Sequence, residues 1–341
     1  LINIFPEAPR SLLREHYRCH PKIIEFCNKK FYGGQLIILT KTKNDREPLI
    51  VYKTVEGNHE RNRMNQRQID VIKQEVIPQQ SINTMDGSLG IITPYRNQTN
   101  ALQKEFSGLN VKADTVDKFQ GQENSIVILS TVNNEVTNFS DNPNRLNVAV
   151  SRAIDQLIVV VSDSDTKSDT NIGDLVRYIQ YNNCSLVESN IRSVFDYLYA
   201  SYSDRRRELL ANHKQISKFD SENLMFAKLE TILKENNLNN LKIAIHVPLR
   251  MIIDNTDLLN PQQTRFALNI ISHFDFLIYD NVSKITKVII EVDGTRFHQE
   301  GSKQFERDMM KNEIFTLYNL PFLRLKTDGS SEEKLLLQAI H

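Results

Sequence analysis

The stretch GIITPYRNQ at residues 90–98 decides the fold of the first half of the chain, because it passes directly from a strand to a helix. Its apolar residues end on the hydroxyl of Thr93, and the polar residues that follow suit the start of a helix. On either side, short apolar runs alternate with helix-like segments, and this alternation predicts a parallel α/β sheet. The predicted strands are 49–52, 89–93, 125–132 and 157–162, and the predicted helices are 21–31, 66–77 and 97–106.

Length and composition bound the class of protein. The 341 residues suffice for two ordinary domains, each large enough to bury its own core. Lys+Arg and Asp+Glu balance at 42 each, so any basic surface for nucleic acid must be local. The three cysteines lack the spacing of a zinc site, an iron–sulfur cluster or a disulfide scaffold, which favours a reducing compartment. Because no apolar run approaches the roughly 18 residues of a membrane span, we expect a soluble, cytoplasmic protein.

Three segments of different pattern divide the chain. The α/β alternation covers residues 1–183. The strand signal then disappears, and apolar residues at helical spacing with a basic cluster at 205–207 predict a helical connector over 184–220. Residues 221–341 begin with a capped helix and continue as strands and helices, which predicts a second α/β domain with a mixed sheet.

Two segments place phosphate-binding groups at the start of a helix. In LREHYRCHP, residues 13–21, Arg18 precedes a proline-initiated helix, where a guanidinium can reach a phosphate. In residues 90–98, Thr93 and the backbone N–H groups after it form a second such place. An arginine near a helix start is more often an ordinary surface residue, so Arg18 alone is a weak signal.

Two further segments follow in the same half of the chain. TVDKFQGQE at 115–123 leads into an apolar strand. NRLNVAVSRA at 144–153 places Arg145 and Arg152 about two helical turns apart, which predicts that both lie on one face of a helix. The alternative is that these arginines form ion pairs inside an ordinary α/β domain.

The four segments, in this order, resemble motifs of superfamily 1 helicases, including motifs IV, V and VI. The resemblance is closest to the nonsense-mediated-decay helicase family, whose members carry similar YRxHP, ITPYxxQ, VDxFQGxE and RLNVAxTRA strings. Ser151 stands where that family usually has Thr, which keeps the hydroxyl. The resemblance implies that the first half is a second RecA-like motor domain, with ATP bound in the cleft between two such domains.

The family pattern implies a role for each residue at a matching position. Arg18 and Arg152 would contact the γ-phosphate of ATP, and Arg152 would be the arginine finger that stabilises the charge on the transferring phosphoryl group. Gln120 would couple the nucleotide to the nucleic-acid track. The other implied nucleotide-binding residues are Gly121, Glu123 and Arg145. The residues expected to hold the nucleic-acid backbone without reading its sequence are Thr93, Pro94, Tyr95 and Thr115.

One part of an ATP site is missing from the sequence. None of the 11 glycines is followed by Lys, so the chain has no GxxxxGK[ST] phosphate loop. No Walker B acid precedes the segment that resembles motif IV. We therefore expect a first RecA-like domain upstream of Leu1, and no ATP hydrolysis without it.

Two neighbouring strands in the last part of the chain carry acidic residues. Asp275 lies near the start of HFDFLIYD at 273–280, and the strand KVIIEVDG at 287–294 ends with Glu291 and Asp293. Side chains two apart on a strand share a face, so the three carboxylates are expected to converge on a hard divalent cation. Mg²⁺ or Mn²⁺ held there would polarise a phosphodiester and lower the pKa of a bound water.

Residues 221–327 resemble the PD-(D/E)xK nuclease fold, in particular its very-short-patch-repair-like branch. The branch pattern is D…ExDGxxxH followed by a helix with RDxxK, and Glu222 matches the acid of the fold's first helix. Asp293 stands where the generic pattern has Lys, so the role of base or charge stabiliser passes to His298 or Lys311. The sequence does not decide between those two. The resemblance implies a restriction-endonuclease-like α/β domain with a mixed sheet.

Three hypotheses about function follow from these features. The first is a helicase–nuclease that translocates on DNA by ATP hydrolysis and cuts it at a Mg²⁺ site, as the resembling bacterial repair or anti-phage proteins would. Its expected partner is single-stranded or end-containing DNA, with RNA as the alternative. In the second hypothesis the acids are relics, and the last domain only anchors the motor to a nucleic-acid end. The third is an RNA helicase of the surveillance type.

Overall fold

The computed structural model describes residues 13–42, 45–57, 59–162, 169–253, 255–294 and 303–340. The chain forms two compact units, with the boundary between Ile191 and Arg192. Each unit has its own sheet and its own hydrophobic core. Across the described residues, no helix has the length and apolar character needed to cross a membrane.

The first unit is built on a six-stranded sheet in the order β10-β3-β9-β8-β6-β7, and all neighbouring pairs are parallel. This confirms the predicted parallel α/β sheet. The strands are β1 (Glu15–His16), β2 (Ile37–Ile38), β3 (Leu49–Thr54), β4 (Glu60–Arg61), β5 (Met64–Asn65), β6 (Leu89–Thr93), β7 (Lys112–Thr115), β8 (Asn124–Ser130), β9 (Ala153–Ser162) and β10 (Leu186–Glu188). The helices are α1 (Pro21–Phe31), α2 (Gln66–Val71), α3 (Ile77–Gln79), α4 (Arg96–Glu105), α5 (Pro143–Val150) and α6 (Asn171–Tyr181), with a π-helical turn at Ile72–Val76.

Both faces of this sheet are buried, and β9 shows why its strands are continuously apolar. Leu157, Val159 and Val161 enter the core beneath α1, α5 and α6, whereas Ile158 and Val160 enter the core beneath α2 and α4. Successive side chains of a strand point to opposite faces, so a strand covered on both sides needs an apolar residue at every position.

The second unit has a four-stranded mixed sheet in the order β11-β12-β13-β14. The first two pairs of neighbours are antiparallel and the last is parallel. The strands are β11 (Leu241–Pro248), β12 (His273–Asp280), β13 (Thr286–Asp293) and β14 (Phe322–Lys326). The helices are α7 (Ser203–Ala211), α8 (Asp220–Glu235), α9 (Pro261–Leu268), α10 (Lys303–Leu317) and α11 (Glu332–Ile340), with 3₁₀ turns at Val194–Leu198, Ala200–Tyr202 and Leu249–Met251.

The predicted helical connector, 184–220, is divided between the two units. Its first part forms β10, which pairs in parallel with β3. The 3₁₀ turn Val194–Leu198 belongs instead to the second unit, where Phe195 is fully buried in the core with residues of α8 and β13. The strand was missed because its three residues form it only when the free edge of β3 supplies hydrogen bonds, such as Val51 N–H to the Ser185 carbonyl.

We predict that Phe195→Ala destabilises the second unit. Removing a fully buried phenyl ring leaves a cavity and should cost about 3–5 kcal/mol. Hydrogen exchange should accelerate in β11 to β14 and stay unchanged in β3 and β9. Tyr181→Ala, which truncates an aromatic side chain that is 85% exposed at the end of α6, is the control. Faster exchange confined to β3 and β9 would contradict the assignment of Phe195 to the second unit.

Candidate functional site

Arg18, Glu123 and Arg152 lie together in the first unit. One guanidinium nitrogen of Arg18, Nη1, is 3.2 Å from Oε2 of Glu123, and Nη2 donates to the Ser151 carbonyl at 2.8 Å. Arg152 Nη1 donates to the Gln122 carbonyl at 3.1 Å. The structure therefore brings three of the expected nucleotide-binding residues into one cluster.

The charge of this cluster suits an anion. Burial, together with the nearby positive charge of Arg18, lowers the pKa of Arg152. The single carboxylate, that of Glu123, is half exposed, so it compensates two guanidiniums only in part. A phosphate placed there would gain charge-assisted hydrogen bonds from both arginines.

The prediction that Arg145 and Arg152 share one face of a helix is wrong. Helix α5 ends at Val150, Ser151 caps it, and Arg152 lies in the turn before β9 begins at Ala153. The helix ends because the chain must turn there to pair Ala153 with β8. Arg152 therefore enters the cluster from a turn rather than from a helix face.

Arg145 lies apart from that cluster. Its Nη2 is 3.0 Å from Oδ2 of Asp117, and its guanidinium covers the ring of Phe139 at 4.0 Å from the centroid. Among the contacts of the described residues, none joins Arg145 to Arg18 or Arg152. The contacts of Arg145 thus differ from those of the other two expected nucleotide-binding arginines.

The loop between β7 and β8 holds the other expected nucleotide-binding residues. Gly121 has a φ of +84°, in the left-handed region that favours glycine, and an added Cβ would meet no atom within 4 Å. Gln120 is exposed. The backbone conformation therefore favours glycine at position 121, and the space beside its Cα is open.

Two of the expected nucleic-acid contacts are buried. Thr93 is fully buried, because it ends β6, and both faces of that β-strand are covered. Its hydroxyl is therefore not exposed for the expected contact with nucleic acid. Tyr95 is 7% exposed, and its hydroxyl donates to Oδ1 of Asn133 at 2.9 Å. Pro94 and Thr115 are half-buried.

The arginine cluster and the expected nucleic-acid contacts lie at opposite edges of the parallel sheet. The arginine cluster precedes the amino ends of β8 and β9, whereas Thr93, Tyr95 and Thr115 lie at or just beyond the carboxyl ends of β6 and β7. The segment 115–123 runs from one edge to the other. It is therefore the direct covalent link between the two places.

The second unit contains a cavity of about 540 Å³ lined by residues of α8, β12, β13 and α10. The structure brings five of the residues singled out in the sequence to this cavity, and Asp308 joins them. Those five are Glu222, Asp275, Glu291, Asp293 and Lys311.

A row of residues crosses all four strands at the level of this cavity. The register of β12 with β13, extended by one residue, places Asp275 across from Glu291. Glu291 is paired in turn with Arg324 of β14. On the other side, the register of β11 with β12 places His246 beside Asp275. Two acids are therefore flanked by groups that carry or can accept positive charge.

The acids are already engaged by basic side chains. Lys311 Nζ is 2.5 Å from Oε1 of Glu291, and Arg324 Nη1 is 2.7 Å from Oδ1 of Asp293. Over the described part of the chain, no three acidic, histidine or cysteine side chains are arranged to hold one ion. The expected three-carboxylate ion site of Asp275, Glu291 and Asp293 is therefore not preformed, because the last of these carboxylates is bound to an arginine.

Burial dominates the electrostatics of this cavity. It raises the pKa of Glu291 to about 7, against the opposing charge of Lys311 and with the help of Asp275. Burial also raises the pKa of Asp275, although the backbone N–H of Val292 donates to its Oδ2 at 2.7 Å. Burial thus disfavours the charged form of both acids, and an additional cation nearby would stabilise that form.

Two residues of the site were missed in the sequence. His246 has a φ of +48°, its Nε2 lies 2.9 Å from Oε2 of Glu222, and its ring meets that of His273 edge-on. A polar residue inside the apolar strand KIAIHVP was the available signal. For Arg324, the only signal in the sequence was its position in a predicted strand. His298 lies outside the described residues.

Comparison with known proteins matches the two units separately. A family model described as an AAA domain matches residues 3–164, and a model described as a protein of unknown function (DUF2726) matches residues 217–341. An uncharacterized ATP-dependent helicase of Caenorhabditis elegans is 32% identical over 204 residues, covering 53% of this chain and 13% of the relative. The first unit therefore matches an AAA domain model and is similar in sequence to helicases.

Two further relatives have named functions. The DNA polymerase alpha-associated DNA helicase A of Saccharomyces cerevisiae is 30% identical over 196 residues, covering 47% of this chain and 29% of the relative. Regulator of nonsense transcripts 1 of Dictyostelium discoideum is 28% identical over 207 residues, 52% of this chain and 15% of the relative. The chain thus spans less than a third of the length of these relatives. The C-terminal domain of a possible DNA helicase from Lactobacillus plantarum aligns over 50% of this chain and 98% of its own, at 19% identity and a TM-score of 0.33, too low to carry an argument.

We predict that the stability of the second unit falls as the pH rises from about 4.5 to about 7, the ordinary and the folded pKa of Glu291. The folded state binds this proton more tightly than the unfolded state, so the stabilisation is complete below the lower value and is lost by the upper one. The loss should amount to a few kcal/mol at most.

Denaturant titrations followed by circular dichroism across this pH range, in EDTA, measure the effect. Glu291→Gln should flatten the dependence, and Glu235→Gln, an exposed residue at the end of α8, should not. Equal slopes in the wild type and Glu291→Gln would contradict the raised pKa.

Proposed function

We propose that the chain supplies the second motor domain of an ATP-dependent helicase, together with a nuclease domain that cuts nucleic acid with a divalent cation. The motor part rests on the cluster of Arg18, Glu123 and Arg152, whose two guanidiniums would contact the γ-phosphate of ATP. The phosphate loop must come from another RecA-like domain, because no glycine of this chain precedes a lysine.

The nuclease part rests on one observation: five acidic and basic residues expected from the nuclease pattern line a single cavity. The elements that carry them also match that pattern. Helix α8 supplies Glu222, the hairpin of β12 and β13 supplies Asp275 and Glu291, and α10 supplies Lys311. This order of helix, strands and helix supports the restriction-endonuclease-like assignment.

Asp275 and Glu291 are the residues that fit a metal ion. They face each other across two strands. Glu291 is buried and Asp275 is half-buried, and burial raises the pKa of both carboxyls. Mg²⁺ or Mn²⁺ bound there would polarise a phosphodiester and lower the pKa of its water. Asp293 would instead hold Arg324, whose Nη2 lies 3.5 Å from Oδ1 of Asp308.

Lys311 is the candidate for the base or charge-stabilising role. It is 8% exposed, lines the cavity and contacts Glu291 directly. Its ammonium would stabilise negative charge that develops on the phosphate. Glu222, whose Oε2 lies 2.9 Å from Nε2 of His246, would orient groups in the same cavity.

The ion pairs also favour a second candidate function. If Lys311 and Arg324 fully satisfy the carboxylates, the cavity binds a nucleic-acid end without cutting it. This domain would then serve as an anchor for the motor.

We predict that the chain cleaves labelled single- or double-stranded DNA with Mg²⁺ or Mn²⁺ and not with EDTA. Asp275→Asn and Glu291→Gln should each reduce the rate by at least about a hundredfold, since each removes a charged oxygen ligand. Asp257→Asn, an exposed acid outside the cavity, should leave the rate unchanged. DNA retention without cleavage in either metal would support the anchor. Matched RNA tests the surveillance alternative.

We predict that Arg152→Ala reduces nucleic-acid-stimulated ATP hydrolysis about 10³-fold or more once the first RecA-like domain is supplied, because an arginine finger contributes on this scale. Steady-state hydrolysis by the complete motor measures it. Lys104→Ala removes an exposed charge from α4, far along the chain from the cluster, and should have no effect. Unchanged hydrolysis in Arg152→Ala would exclude this residue from the ATP site.

A further inference from the structure

The cavity of the second unit has an apolar part that the proposed cleavage does not use. Phe219, Phe266 and Ile271 line it together with the acids Asp275 and Glu291. A phosphate and a hydrated cation gain nothing from apolar side chains, because both are ions that interact with polar groups and water. The volume of about 540 Å³ is also that of a site for a larger ligand. The apolar residues therefore point to an apolar group on the ligand.

Two of these three side chains are exposed, and the third is held by the core. The Phe219 ring is 47% exposed and Ile271 is 75% exposed. Phe266 is half-buried and packs against the core that contains Phe274. We name Phe219, Phe266 and Ile271 the apolar wall. It offers surface that a ligand can cover, and covering apolar surface is favourable.

Hydrogen bonds fix the backbone on both sides of the apolar wall. Asn223 is buried, accepts from the N–H of Ser217 at 3.1 Å and donates to the carbonyl of the same residue at 2.9 Å. Ser217 lies two residues before Phe219. The N–H of Ile271 donates to Oδ1 of Asn269 at 3.0 Å. The wall is therefore preformed, so a ligand would bind it without first ordering these loops.

Positive charge lies beside the apolar wall. The ammonium of Lys218 is 5.0 Å from the centroid of the Phe219 ring. The basic cluster 205–207 is tied to the same place, because Arg206 Nε is 3.2 Å from Oδ2 of Asp220, the residue after Phe219. Cations beside an exposed ring are the combination that binds the phosphates and bases of a nucleotide chain.

We propose that the apolar wall binds one unpaired nucleobase beside the charged residues of the cavity. This inference rests on the proposed nuclease function and names its substrate class. A base has two apolar faces, and taking it out of an intact duplex has a cost that is smallest where the strand is already single. The site would therefore select a single-stranded stretch, a flap or a frayed end over a blunt duplex. Lys218 and Arg307, an exposed residue of the cavity, would contact phosphates of the same strand.

Cleavage of strands with and without bases tests the apolar wall. With Mg²⁺, the wild type should cut a thymidine oligonucleotide about tenfold faster than a strand of a stable abasic analogue, which has the same phosphates but no bases. Phe219→Ala and Ile271→Ala should slow cleavage of the thymidine strand only, and Phe219→Tyr should retain the rate. Lys218→Ala should slow both alike, because an ammonium contacts phosphate rather than base.

Ile270→Ala is the matched control. Ile270 is 64% exposed and adjacent to Ile271, yet it is not among the described residues that line the cavity, so its truncation should leave both rates unchanged. A blunt duplex should be cut about tenfold more slowly than either of its strands alone. Photocrosslinking in EDTA tests binding without cleavage. Single strands that carry 5-iodouracil should crosslink to the peptide that contains Phe219, and Phe219→Ala should remove that product.

The outcomes separate this inference from the proposed function. If the wild type cuts both strands equally, and Phe219→Ala and Ile271→Ala change neither rate, the apolar wall binds no base and the nuclease function stands. If the wild type cuts neither strand while 5-iodouracil crosslinks to Phe219, base binding stands and the nuclease function fails. If it neither cuts nor crosslinks there, both fail.

Discussion

Compensation of the charge on Glu291 is the constraint on which the second unit depends. This carboxylate is buried opposite Asp275, and Lys311 contacts it. Leaving such a charge uncompensated costs several kcal/mol. A bound proton, the ammonium of Lys311 or another cation must therefore always accompany it. A pKa of about 7 means that proton and cation compete for the same oxygens near neutral pH. Whatever binds the Glu291 carboxylate thus also decides whether Lys311 is free for another contact.

Strand direction imposes a comparable order on the first unit. In a parallel sheet all amino ends lie at one edge and all carboxyl ends at the other, so the turns before β8 and β9 cannot lie beside those after β6 and β7. The arginine cluster occupies the first edge, and Thr93, Tyr95 and Thr115 lie at the second. Communication between them would use elements that span the sheet, of which segment 115–123 and α5 are the most direct.

The sequence predicted what depends on local pattern. Strand 89–93 and helix 21–31 were predicted with their observed bounds, because a strand buried on both faces is apolar throughout and a proline marks the helix start. The acids were expected together because a hairpin brings two strands side by side. Strand β10, the left-handed His246 and the position of Arg152 beyond its helix could not be predicted, because tertiary pairing rather than local preference determines them.

Burial changes what a sequence motif implies about contact. Thr93 and Tyr95 lie in a string typical of nucleic-acid-binding helicase segments, yet one side chain is fully buried and the other nearly so. A buried hydroxyl fixes the shape of a surface, whereas its exposed neighbours provide the charge. Arg63 lies outside the four recognised strings and is close to Tyr95 only in the folded chain. The string therefore predicts where these side chains lie, whereas the charge around them depends on residues that only the folded chain brings close.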